Sequence, residues 1–165
     1  MLTAISKVCK VMDTLFFALA CVLLGIIITA STIQVFTRYV LNSSLTGTEE
    51  LARYCFVWMS MLGGSICVGK MAHPSVTFIG DGLKGVSKKI LKIIIFVLII
   101  VCALIFLLYG IQVVRSTSTQ LSPTLQIPMR LVYLCVPIGG GGMIIHAVHL
   151  ILEELWGTPK GEEVL

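Results

Sequence analysis

The sequence predicts an all-α membrane protein. It is read as four transmembrane helices with a short amphipathic interfacial helix between spans 2 and 3, and both termini cytoplasmic. Three observations carry this. The chain has 165 residues, 57% of them hydrophobic and only 12% charged, about half the charge of an ordinary soluble domain. Its mean hydropathy is +1.02. Its charges stand at the edges of long apolar runs, as headgroup-facing residues do. The expected organisation is a single membrane domain, residues 1–165, with spans at about 14–36, 48–69, 91–114 and 130–152 and the interfacial helix at about 75–88.

The first run, Thr14 to Ile33, carries no charge. At ~1.5 Å per residue it crosses the ~30 Å of a bilayer core. It is too long for a signal-peptide core of ~7–15 residues, so a retained span is expected. Arg38 returns the chain to water, and Asn42-Ser43-Ser44 make a turn. Thr46-Gly47-Thr48-Glu49 has the form of a capping box, with Thr46 as N-cap and Glu49 at N3. The spacing of Glu49 and Glu50 to Arg53 lets one helix face hold both carboxylates near one guanidinium. As a surface ion pair that is worth only ~0–1 kcal/mol. The second span follows, with Trp58 near its interface side and Gly63-Gly64-Ser65 as a small surface for close helix contact.

His73-Pro74 ends that helix. Val76, Ile79, Leu83, Val86 and Ile90 then form one helical stripe, with Asp81, Lys84, Ser87 and Lys88 largely off it. An amphipathic helix on the membrane surface or a plain connecting loop both fit; Gly80, Gly82 and Gly85 each weaken the helix by ~1 kcal/mol. The third span, Ile93 to Val114, has Gln112 as its only strongly polar side chain. Pro123 and Pro128 make the next loop ordered and non-helical. The fourth span holds Pro137 and four consecutive glycines, Gly139 to Gly142, which admit close approach of another helix.

Lysine and arginine number eight on the side bearing the termini and four on the other. The positive-inside rule therefore places both termini in the cytoplasm. The excess of basic residues flanks apolar runs, so it points to lipid headgroups and not to nucleic acid.

Chemistry is sparse. Six cysteines contain no CxxC pair and read as small apolar residues packed in helices. His146 and His149 share one helix with no matching histidine on another span, which makes a poor bis-histidine haem site. No phosphate loop, metal-spacing motif or nucleophile elbow is present, so no enzyme activity, metal or cofactor is expected. A secondary transporter's paired broken helices are also missing, because only the fourth span is interrupted. A scaffold for another membrane protein fits best. A small self-assembling four-helix exporter or channel is the alternative from another class.

A family resemblance extends this. Arg38-Tyr39, then Thr48-Glu49-Glu50-Leu51-Ala52-Arg53, Trp58, Met61-Leu62-Gly63-Gly64, His73, Ile127-Pro128-Met129, Tyr133 and Pro137-Ile138-Gly139 occur in that order across the four spans. In this the chain resembles the small integral membrane subunit of TRAP (tripartite ATP-independent periplasmic) transporters, the DctQ-like family. Two positions depart from the family pattern: Gly47 stands where an aromatic residue often precedes the acidic pair, and Thr77 where an acidic residue often follows the histidine. The resemblance implies a bacterial inner-membrane subunit of a sodium-coupled importer of organic acids, of the sialic-acid or dicarboxylate type. Its partners would be a large multi-span TRAP membrane subunit, in a heterodimer, and a periplasmic substrate-binding protein. Arg38, Glu49, Glu50, Arg53, Trp58, Gly63, Gly64, His73, Pro128, Tyr133 and Gly139 are the expected partner-interface or structural residues.

Overall fold

A computed structural model describes residues 2–42, 45–70 and 86–156. Five helical segments lie among them: α1 (Leu2–Tyr39), α2 (Thr46–Gly69), α3 (Val86–Ser116), α4 (Met129–Tyr133) and α5 (Cys135–Trp156). Four stretches are long and apolar enough to cross a membrane: Ile5–Tyr39, Thr46–Gly69, Ile93–Ser116 and Met129–Leu152. No strand is present among the described residues, and the only β-type pairing there is an isolated bridge between Leu121 and Pro128.

The first helix starts earlier than the apolar run suggests. Lys7, Lys10 and Asp13 are already helical, so α1 is 38 residues long. That is ~57 Å at ~1.5 Å per residue, well beyond the apolar thickness of a bilayer. Charge stops a membrane span but does not stop a helix. The expected interfacial helix falls largely outside the described residues, as does His73; residues 86–88 are the first turn of α3.

Polar side chains on the spans bond to their own helix. Thr29 donates to the Gly25 carbonyl at 2.8 Å, Thr32 to Ile28 at 2.8 Å, and Ser60 to Phe56 at 2.8 Å. Each hydroxyl is satisfied without water, which a lipid-facing helix requires.

The helices pack in the order α1–α2–α5–α3, and α1 also touches α5. Among the described residues α3 meets neither α1 nor α2. The result is an open layer rather than a closed bundle, with long apolar faces left uncovered.

The glycine run makes the central contact. A Cβ on Gly139 would stand 3.0 Å from the Met61 carbonyl of α2, and one on Gly140 3.0 Å from the Ala103 carbonyl of α3. One on Gly142 would collide with Ser65 of α2 and stand 2.9 Å from Phe16 of α1. Three of the four glycines thus serve three different neighbours, while Gly141 has nothing within 4 Å. Across the other side, Gly110 of α3 leaves room for Pro137, whose Cδ would lie 2.8 Å from a Cβ there. Pro137 is the third residue of α5, where a missing N–H costs little, so it starts a helix and does not interrupt one.

One polar contact ties the far end of α1 into this packing. His146 of α5 is 2% exposed, and its Nε2 stands 3.2 Å from Asp13 Oδ1 of α1. The ring fills the space beside Gly69, where a Cβ would lie 2.6 Å from Nδ1.

Candidate functional site: an acidic clasp at the loop end

The turn after α1, the start of α2 and the loop before α4 lie at one end of the layer, called here the loop end. The acidic pair Glu49-Glu50 sits at its centre. The two carboxylates do different things.

Glu49 stays on the surface. It accepts from Arg53 at 3.1 Å, one turn along α2, and from Gln34 of α1 at 3.2 Å. The guanidinium is 68% exposed and the carboxylate 49%, so this pair is screened and weak. It still links the end of α1 to the start of α2.

Glu50 turns inward and is buried. Its Oε1 accepts from the Tyr54 hydroxyl, one turn along the same helix. Its Oε2 accepts from the backbone N–H of Thr124 at 3.0 Å and of Leu125 at 3.1 Å. Hydrogen bonds to an ionised acceptor are about twice as strong as neutral ones. One carboxylate therefore fastens the loop before α4 onto the second helix.

The loop is shaped to present those two amides. Ser122 and Ile127 exchange hydrogen bonds: the Ser122 N–H donates to the Ile127 carbonyl at 2.9 Å, and the Ile127 N–H to Ser122 Oγ at 3.2 Å. The Met129 N–H donates to the Gln120 carbonyl at 2.9 Å and closes the loop's base. Gln126 takes a left-handed backbone (φ 54°), which lets the chain reverse between Pro123 and Pro128. Gly47 lies beneath: a Cβ there would stand 3.4 Å from the Leu125 side chain and 3.7 Å from that of Thr124, in ordinary van der Waals contact with the loop.

The capping box does not form. The N-cap of α2 is Leu45, without a side-chain cap, and Thr46 is already helical. The Thr48 hydroxyl instead donates to the Leu45 carbonyl at 2.8 Å. With Leu45 as N-cap, Thr48 stands at N3 and Glu49 one position further on, where Arg53 and Gln34 donate to it. Nor do both carboxylates share Arg53, since Glu50 is engaged by Tyr54 and the loop.

The other expected residues are placed as follows. Trp58 donates its indole N–H to the Leu131 carbonyl at 3.2 Å, beside the break between α4 and α5. Pro128 is the N-cap of α4, and its carbonyl accepts from the Leu131 N–H at 3.0 Å. Tyr133 is half-buried as the last residue of α4. A Cβ on Gly64 would meet Met143 of α5 at 2.9 Å, and Gly139 packs on Met61, whereas Gly63 has nothing within 4 Å. Arg38 is exposed in the last turn of α1. Tyr54, Ser122, Thr124 and Leu125 belong to the clasp although the sequence did not single them out. Only Tyr54, one turn from Glu50, had a signal in spacing.

A small polar cleft of about 230 Å³ opens between Thr46, Glu49, Arg53, Tyr54 and Pro123. Its carboxylates are occupied, and among the described residues no three His, Cys, Asp or Glu side chains are grouped to hold a metal. What the arrangement does is fix geometry.

The family profile described as "Tripartite ATP-independent periplasmic transporters, DctQ component" matches residues 26–156. The chain belongs to the DctQ family. Within it, this DctQ chain is 29% identical over 133 residues to the sialic acid TRAP transporter small permease protein SiaQ of Vibrio cholerae, covering 79% of this chain and 76% of that one. It is 29% identical over 125 residues to the sialic acid TRAP transporter permease protein SiaT of Haemophilus influenzae, covering 76% of this chain but 19% of the relative. With the isethionate TRAP transporter permease protein DctMQ of Oleidesulfovibrio alaskensis it shares 30% over 115 residues, 68% of this chain and 18% of that one. This DctQ chain thus spans about a fifth of the length of those two longer permeases. The matched stretch contains the whole clasp, from Gln34 and Glu50 to Leu125, together with Trp58 and the glycine run.

Proposed function

We propose that this chain is the non-catalytic small permease subunit of a sodium-coupled TRAP importer for organic acids. It scaffolds a large transport subunit in the bacterial inner membrane and helps dock a periplasmic substrate-binding protein. Both termini face the cytoplasm, and the loop end faces the periplasm.

The observation that carries this reading is the clasp. Glu50 joins α2 to the loop before α4 through two backbone donors, with Tyr54 of α2 as a third donor to the same carboxylate, and the glycine run joins α5 to three helices. Such a chain holds a fixed shape and presents it. It has no interior polar pathway among the described residues: the contact of buried His146 with Asp13 lies toward the end opposite the clasp. Relatives in which a similar stretch is one part of a longer permease support a lasting association with a large partner. The relatives named for sialic acid and isethionate support an organic anion as cargo. The open layer leaves apolar faces on α1 and α3 for a partner or for lipid.

The test is uptake of labelled organic acids in a transport-deficient strain. Co-expression with the large permease subunit and the substrate-binding protein should give uptake that needs sodium. This chain expressed alone should give none. Robust uptake by this chain alone would overturn the proposal in favour of a self-sufficient small transporter.

A further inference from the structure

The basic residues of this chain are sorted by type. All four arginines are at the loop end: Arg38 in the last turn of α1, Arg53 early in α2, Arg115 in the last turn of α3 and Arg130 at the start of α4. The four tyrosines, Tyr39, Tyr54, Tyr109 and Tyr133, lie in the same end of the layer. Within the described residues the lysines take the opposite end. Lys7 and Lys10 are early in α1, Lys70 follows α2, and Lys88, Lys89 and Lys92 open α3. Lys84 and Lys160 lie outside the described residues.

Anchoring to headgroups does not call for such sorting, because lysine and arginine both extend a charged head to the interface. Protein interfaces do. They are enriched in arginine and tyrosine and depleted in lysine, and the planar guanidinium matches a carboxylate in a bidentate way.

The local charge balance points the same way. Among the described residues, the acidic residues at the loop end are Glu49 and Glu50. Glu50 is turned into the clasp, and Glu49 is held by Arg53 and Gln34. Arg38, Arg115 and Arg130 are exposed, and no hydrogen bond or ion pair engages their side chains among the described residues. Tyr39, next to Arg38, and Tyr109, six positions before Arg115, are 75% and 63% exposed. Among the described residues, no carboxylate at this end is left for these three guanidinium groups to meet.

We infer that the loop end is a docking surface for an acidic, carboxylate-bearing face of a soluble protein partner, with Arg38, Arg115 and Arg130 as its ion-pairing residues. This rests on the reading above that the loop end faces the periplasm and meets the substrate-binding protein. The clasp holds the loop between Arg115 and Arg130 in one shape, so both are presented at fixed positions relative to α2. Ion pairs at the rim of such a surface act mainly on the association rate and its salt dependence.

The experiment uses the complex of this chain with its large subunit in phosphatidylcholine nanodiscs, and the purified substrate-binding protein as probe. Binding is measured at rising salt for the wild type, for Arg38→Gln/Arg115→Gln/Arg130→Gln, and for Lys7→Gln/Lys10→Gln. The arginine triple variant should bind ~10-fold more weakly at low salt and lose most of the salt dependence, while the lysine variant matches the wild type. Wild-type binding that the triple variant retains in full overturns this inference alone. Absence of binding by an intact wild-type complex overturns the docking role itself. Thermal stability of the same complexes in nanodiscs with added phosphatidylglycerol is the second readout: a triple variant with normal partner binding but less stabilisation by that lipid than the wild type overturns the inference and assigns the arginines to lipid.

Discussion

Glu50 holds Leu125 by its backbone N–H, 3.1 Å away and 75 positions further along the chain. The neighbouring Thr124 N–H shares the same oxygen. Two amides of one loop converge on a single carboxylate of another helix, so the contact reads shape and not side-chain identity. Glu50→Gln keeps an acceptor but loses the charge and places an amide N–H2 against donors. The opened population of the loop at 121–128 should rise ~10-fold. Limited proteolysis or amide exchange there reads it directly, and co-purification with the large subunit should weaken in parallel. An unchanged protection pattern would reduce the clasp to an ordinary surface contact.

The glycine run gives a contrast within one helix. Gly142→Ala drives a methyl into Ser65 and Phe16, and Gly139→Ala drives one into the Met61 backbone. Each should destabilise the folded chain by about 1–3 kcal/mol through overpacking. Gly141→Ala meets nothing within 4 Å and should be neutral or stabilising by up to ~1 kcal/mol through helix propensity. Thermal unfolding in detergent separates the three. Equal effects at all three positions would mean that α5 does not pack in this register.

Asp13 and His146 should act as a unit. Asp13→Asn and His146→Gln each break the 3.2 Å contact, and the second change should add little once the first is made. A double-mutant cycle on thermal stability should give a coupling of about 0.5–3 kcal/mol. Strict additivity would show that the two side chains do not meet.

Trp58→Phe keeps an aromatic ring and removes the donor to the Leu131 carbonyl. The expected cost is about 1 kcal/mol. Exchange of amides around the α4–α5 break should quicken, with α1 unaffected. Unaltered exchange at 131–138 would separate Trp58 from that break.

Much of this was legible in the sequence, for a physical reason. Span positions follow from the length of uncharged apolar runs, which the bilayer imposes. Close contact at the glycines follows from the absence of a side chain, although which glycine meets which helix does not. Helix α1 extends beyond the expected span of about 14–36 because hydropathy marks where lipid ends, not where helical hydrogen bonding ends. Thr46-Gly47-Thr48-Glu49 matched a capping box, but Arg53 and Gln34 compete for the same carboxylate and the helix begins one residue earlier. The clasp itself left almost no trace. Its donors are main-chain amides, which every residue except proline carries, and only the folded loop brings them together. Asp13 looked like a residue at a span edge because its partner stands near the other end of the chain.

The most direct measurement is affinity purification of this chain from membranes that also contain the large permease subunit, followed by native mass determination. A stable complex is expected, in which one copy of this chain accompanies one large multi-span subunit, and which Glu50→Gln weakens. Recovery of this chain alone as a homo-oligomer, with the large subunit left in the flow-through, would contradict it.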